Sequence, residues 1–251
     1  MQNQSKTYQF EVCANGVESC LAAQEGGANR VELCAGIPEG GTTPSYGEIK
    51  VARRLLTSTR LHVIIRPRGG DFLYTPLEVE RMVEDIRICR ELGVDGVVIG
   101  CLKADGSLDL EANRRLKDAA GDMSVTFHRA FDRCADPMLA LEQLCQLGVD
   151  RILTSGQQPT AQQGISLLRR LNAAADGRIT ILAGCGVNEG NIKEIQEQTG
   201  VHEFHFSART PVKSRMQYAN HDVYMGDKDV DESTLMYTSA ERVRATMAQL
   251  K

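Results

Sequence analysis

Short apolar runs alternate with longer amphipathic stretches along the whole chain, and this alternation constrains the fold more than any other feature. The runs span residues 8–13, 30–34, 61–66, 96–100, 124–128, 151–154, 179–183 and 203–207. They are rich in Val, Ile and Leu and too short for helices, so they read as strands. Helical patterns lie between them, over 18–27, 46–56, 76–92, 110–120, 137–147, 161–175, 191–199 and 240–250. Strands alternating with helices build parallel βαβ units. Two helix ends recur as Leu92-Gly93-Val94-Asp95 and Leu147-Gly148-Val149-Asp150, where Gly suits a left-handed cap and a strand follows at once. An open doubly wound sheet calls for a GxGxxG-like turn after the first strand, and Cys13-Ala14-Asn15-Gly16 is not one. The expectation is an α/β fold: a single (β/α)8 TIM barrel domain over 1–251, with a long loop before the last helix.

The totals exclude several classes of function. A net charge of −4 gives no basic face for nucleic acid and no attraction to an anionic membrane. No apolar run approaches the roughly 20 residues of a membrane span. Residues 1–6 lack an apolar signal core, so a cytoplasmic location is expected. The eight cysteines are scattered, with no CxxC pair, which points to free thiols in a reducing compartment. Zinc-ribbon and thioredoxin-type sites drop out on the same ground.

Side chains alternate across a strand, so the less apolar face of each run belongs inside the barrel. Phe10 and Val12 face outward, leaving Glu11 and Cys13 inside; Val31 and Leu33 likewise leave Glu32 and Cys34 inside. Arg66, His128 and His205 fall inward near other strand ends, whereas His62 and His202 fall near strand starts and are discounted. Buried charge is costly unless paired, so Glu11, Glu32, Arg66, His128 and His205 either serve a site or form an internal network, for example Glu11 or Glu32 with Arg66.

A tetrapeptide pattern also ends two successive strands, Glu11-Val12-Cys13-Ala14 and Glu32-Leu33-Cys34-Ala35. Adjacent strands lie about 4.8 Å apart, so two such thiolates could share a soft ion such as Cu(I). Alternatively they are two small buried hydrophobes. Cys20, Cys89 and Cys145 read as helix core, and Cys101 and Cys185 as second-tier ligands. Glycine-bearing turns after the sixth and seventh strands, with Ser207-Ala208-Arg209 after the eighth and Arg66-Pro67-Arg68-Gly69-Gly70 after the third, suggest an anion site. No lysine ends a strand, which weakens a Schiff-base reading. Residues 209–239 carry Met216, Tyr218, His221, Tyr224 and Met225 and are expected to form a lid or a dimer contact.

Longer motifs connect these points. They are Glu11-Val12-Cys13-Ala14, Asn29-Arg30-Val31-Glu32-Leu33-Cys34, Glu39-Gly40-Gly41-Thr42-Thr43-Pro44-Ser45, Ile65-Arg66-Pro67-Arg68-Gly69-Gly70-Asp71-Phe72, Thr126-Phe127-His128-Arg129-Ala130-Phe131-Asp132, Arg151-Ile152-Leu153-Thr154-Ser155-Gly156-Gln157 and Ala183-Gly184-Cys185-Gly186-Val187. In order and over nearly the whole barrel, they resemble the CutC family of bacterial copper homeostasis proteins. Cys185 departs from the pattern, where that family often has Gly. The resemblance implies a cytoplasmic TIM barrel, a homo-oligomer with a dimer favoured, and Cu(I) held by paired cysteines falling on Cys13 and Cys34. Its mouth also looks like that of an enzyme acting on a small anionic or phosphorylated substrate. In that alternative His128 is general acid or base and Glu11 or Glu32 its partner, while Arg66, Arg68, Ser155, Gly184, Gly186 and Arg209 hold the anion. A third reading, a scaffold acting through the long late loop, rests on that loop alone.

Overall fold

The computed structural model describes residues 7–220, 222–225 and 231–250. Eight parallel strands close into a barrel: β1 (Gln9–Ala14), β2 (Arg30–Leu33), β3 (Arg60–Ile64), β4 (Gly96–Ile99), β5 (Ser124–Phe127), β6 (Arg151–Thr154), β7 (Thr180–Gly184) and β8 (Glu203–Phe206). Closure comes from β8 pairing with β1, with Glu11 opposite His205. The helices α1 (Val17–Glu25), α2 (Tyr46–Leu55), α3 (Pro76–Glu91), α4 (Leu110–Ala120), α5 (Pro137–Leu147), α6 (Ile165–Ala175), α7 (Ile192–Thr199) and α8 (Ala240–Ala248) follow the strands in turn. The expected (β/α)8 barrel is therefore the observed fold.

Local chemistry explains the boundaries. Thr75 caps α3 in a reciprocal box with Glu78, and Asp109, Asp136 and Ser239 cap α4, α5 and α8. Gly93 and Gly148 end their helices at φ 70° and 74°, a left-handed conformation that costs glycine little. One helix starts later than its pattern predicts: α6 begins at Ile165 rather than at 161. Gly164 packs so tightly on the backbone of Ser155 that a Cβ there would sit 1.8 Å from the Ser155 carbonyl. That close approach holds residues 161–164 in a turn.

Apolar packing concentrates outside the barrel wall, where Val12, Val31, Val63, Phe127, Ile152 and Phe204 meet the helices. Inside, the apolar cluster shrinks to Cys34, Ile64 and Val98, flanked by Cys13 and Ile37. Beside these and the buried Leu153 and Leu182, the interior is polar, with Glu11, Arg30, Glu32, His62, Arg66, Thr126, His128 and His205 all buried. Two inward glycines, Gly96 at the start of β4 and Gly100 just beyond its end, make room for the rings. A Cβ on Gly96 would lie 2.4 Å from His62, and one on Gly100 would lie 2.5 Å from His128.

The long late segment is more ordered than a loop. Its ends pair as an antiparallel hairpin of β9 (Arg209–Lys213) and β10 (Thr234–Thr238). Met216, Tyr218, Tyr224 and Met225 are exposed beyond it. His221 lies outside the described residues.

Candidate metal centre at the barrel mouth

A chain of charged groups climbs the barrel interior to the mouth. Arg151 Nε meets Glu203 at 2.9 Å, and Arg30 joins the same carboxylate at 2.8 Å. Arg30 Nε also donates to Glu11. The other oxygen of Glu11 meets His205 Nδ1 at 2.7 Å, and His205 Nε2 lies 3.6 Å from Glu32. Cys13 Sγ stands 3.9 Å from Cys34 Sγ, and Arg209 Nη2 donates to Cys13 Sγ at 3.3 Å. The ligand atoms of Cys13, Glu32 and His205 all lie within 4.8 Å of one another. Strand register accounts for this: Cys13 sits beside Glu32 across β1 and β2, and β8 brings His205 to β1 from the other side.

Each group's protonation follows from its neighbours. Burial by itself would raise Glu11, but Arg30, and after it His205, hold the carboxyl well below its usual range. The hydrogen bond with Cys34, and then His205 against the opposing effect of burial, keep the Cys13 thiol well below ordinary values. Cys34 moves the other way, raised first by its hydrogen bond to Cys13 and then by burial. Burial would lower His205, yet its hydrogen bonds to Cys13 and Glu11 raise it well above the usual imidazole value. The shifts run in the sense that favours the charged forms of Cys13 and His205 side by side and keeps the proton on Cys34. Burial pushes Glu32 up to about 8 despite His205.

The mouth itself is a cavity of 510 Å³. Among the residues expected at the site, Cys13, Glu32, Cys34, Arg66, His128, Gly186, His205 and Arg209 line it, as does Cys185. Glu11 lies beneath, behind His205. His128 differs from the general acid–base expectation. Burial, followed by Arg66, lowers it to about 3, and its Nδ1 accepts from Ala130 N–H at 3.2 Å. It is therefore a neutral ring with its proton on Nε2.

Four further expectations are corrected. Arg66 pairs with neither Glu11 nor Glu32; its guanidinium donates to the carbonyls of Glu39, Gly41 and Gly70. Arg68 turns outward to Glu78 at 2.6 Å and Asp71 at 3.0 Å. Ser155 is taken up by Asp132, which accepts both its N–H and its hydroxyl. Gly184 ends β7 and is not among the residues lining the cavity; a Cβ there would meet Leu153 at 2.4 Å. Of the two second-tier thiols, Cys101 is buried in the outer core, and only Cys185 reaches the mouth, with Arg129 Nη1 donating to its sulfur at 3.1 Å.

Sequence reasoning missed Arg30, Glu203, Arg151, Arg129 and Asp132. Alternation contained the signal for two of them, since Arg30 shares parity with Glu32 and Glu203 with His205. His62 was discounted as a strand-start residue. It is buried with Nδ1 4.0 Å from Glu11, and burial lowers it to about 3.

Fold and site together define a (β/α)8-barrel protein with a paired-thiol, histidine and carboxylate cluster at its mouth. The chain belongs to the CutC family, whose model matches residues 8–210. A CutC family protein from Bacteroides thetaiotaomicron is 63% identical over 98% of this chain and 99% of its own. A Chromobacterium violaceum relative of the same name is 52% identical, covering 94% of this chain and 95% of its own. A CutC structure from Streptococcus agalactiae, named for a proposed role in copper homeostasis, superposes with a TM-score of 0.77 at 36% identity, over 80% of this chain and 99% of that one. Among the described residues, no helix is long and apolar enough to cross a membrane.

Proposed function

We propose that this protein handles Cu(I) in the cytoplasm, holding the ion between Cys13 and Cys34 with His205 as a third donor. The observation that carries the reading is the pair of sulfurs 3.9 Å apart at the wall of a cavity. Two metal–sulfur bonds of about 2.3 Å reaching such a pair meet at a bent angle. That angle leaves a third position open, and His205, with a ring nitrogen within 4.8 Å of the Cys13 sulfur, is the imidazole donor at hand. Two thiolates and an imidazole are soft and borderline donors, which suit Cu(I). Glu32 is a hard donor and serves as a neighbouring proton store rather than a preferred ligand. The Streptococcus agalactiae structure named for a proposed role in copper homeostasis supports the same reading.

The test is an anaerobic Cu(I) competition against a chromogenic chelator, on the wild type and on a Cys13→Ser, Cys34→Ser variant. One equivalent held by the wild type and lost in the variant is the expected result. Cys34 and His205 must shed protons to ligate, so affinity should rise with pH. Stoichiometric Cu(I) retained by the double variant would refute the assignment.

A further inference from the structure

The mouth carries more positive charge than its thiol cluster uses. Arg66, Arg129, Arg133 and Arg209 line the cavity, against the carboxylates Glu32 and Asp132 and the Cys13 sulfur, to which one end of the Arg209 guanidinium donates. The chain as a whole is acidic at −4, so this excess is local. One of the two carboxylates is already committed: Asp132 accepts from Arg129, Thr154, Ser155 and Gln157.

Arg66 makes the sharpest case. It is only 5% exposed, its hydrogen bonds go to three neutral carbonyls, and its Nε–H has no partner. A buried guanidinium that lacks a counter-charge is costly, and a ligand that supplies the charge relieves that cost. His128 faces the same space, 4% exposed, and its Nε2–H is also without a partner. Across the cavity, Arg209 Nε–H is a third unpartnered donor. Phe72 covers the first two, 5.1 Å from the Arg66 guanidinium and 5.0 Å from the His128 ring, so a ligand reaches them by displacing that side chain. The rest of the lining includes Ile37, Ile64, Leu153, Val187 and Phe206, an apolar strip beside the cations.

We infer that the mouth binds a small organic anion, its carboxylate or phosphate held between Arg66 and Arg209 and its apolar body on that strip. A volume of 510 Å³ is of the size that takes a metabolite. Cationic walls in a concave site also draw anions in. The inference goes beyond copper handling and does not depend on it.

The experiment is a thermal-shift titration of metal-free protein with phenyl phosphate, benzoate and the neutral benzyl alcohol, repeated on Arg66→Gln and Arg209→Gln. A saturable rise in Tm with either anion, absent with benzyl alcohol, is expected, and the stronger anion identifies the head group. Each substitution should weaken the binding about tenfold or more. Alkylation of Cys13 and Cys185 by N-ethylmaleimide should slow in step, because both line the mouth. If Arg66→Gln fails to fold, Arg209→Gln carries the test. No rise with either anion, an equal rise with benzyl alcohol, unchanged binding by Arg209→Gln, or undiminished alkylation at saturation overturns the inference.

Discussion

Arg30 is the residue on which the interior depends most. It neutralises Glu11, which is fully buried, and it shares Glu203 with Arg151. Removing one partner of a buried pair is much worse than removing both, because the survivor keeps its desolvation penalty without its attraction. Arg30→Met is therefore expected to destabilise the fold by about 3–5 kcal/mol. Adding Glu11→Gln to it should restore a large part of the loss. Chemical denaturation of the two single variants and the double variant measures both quantities. Additive losses would mean that Arg30 and Glu11 act independently, contrary to their contact. The same pair anchors His205 through Glu11, so the metal centre inherits its orientation from a salt bridge one layer below.

At the scale of elements, the barrel and the hairpin of β9 and β10 answer to different forces. The core is built from the eight strands and their helices, and none of the described residues between 209 and 239 belongs to it. An isolated two-stranded hairpin is marginal in water, and this one is fastened at its base, where Thr238 N–H donates to Ser19 and Asn15 donates to the Met236 carbonyl. Replacing residues 214–232 with a two-residue turn should therefore change unfolding free energy by less than about 1 kcal/mol. Exposed Met216, Tyr218, Tyr224 and Met225 leave with that segment. Under the homodimer expected from the family resemblance, sedimentation velocity should show the wild type as a dimer and the shortened protein as a monomer. A wild-type monomer, or a shortened protein that remains dimeric, would remove the hairpin from any dimer contact.

For the molecule as a whole, the interior sets the response to pH. His62 and His128 are buried neutral, each lowered to about 3 by burial. Unfolding returns them to ordinary values, so between those limits the unfolded chain binds more protons and stability falls as pH falls. Each should cost about 2 kcal/mol at pH 5 relative to neutral pH. Glu11 acts in the same sense at lower pH, because its folded value is depressed and its stabilisation is lost as pH drops through that value. His205 runs the other way: its folded value is raised, so its stabilisation is full below the ordinary imidazole range and fades at high pH. Glu32, raised to about 8, opposes them across the same window, because its folded form binds the extra proton there. The histidine contribution is therefore read as a difference: the calorimetric Tm of the wild type relative to a His62→Gln, His128→Gln variant should fall between pH 7 and pH 5. A constant difference across that window would show that these rings are not buried neutral.

Much of this was legible in the chain, and the rest was hidden for a definite reason. Hydrophobic periodicity is a local property, so the order of strands and helices, the polar inward face and the repeated cysteines could be read without coordinates. The late start of α6 escaped because a backbone contact between Gly164 and Ser155 is not local chemistry. Parity put Glu11, Cys13, Glu32, Cys34 and His205 inside, but parity says nothing about which of them touch. Partner choice was decided by the stagger of the closed barrel, which gives Glu11 to Arg30 and His205 and leaves Arg66 on bare carbonyls. By itself the sequence determined the elements and which face of each turns inward, because both depend on neighbours along the chain. Only the tertiary structure decided the ion pairs, the shifted protonation states and the 3.9 Å between two sulfurs, because those depend on distances that exist only once the barrel has closed.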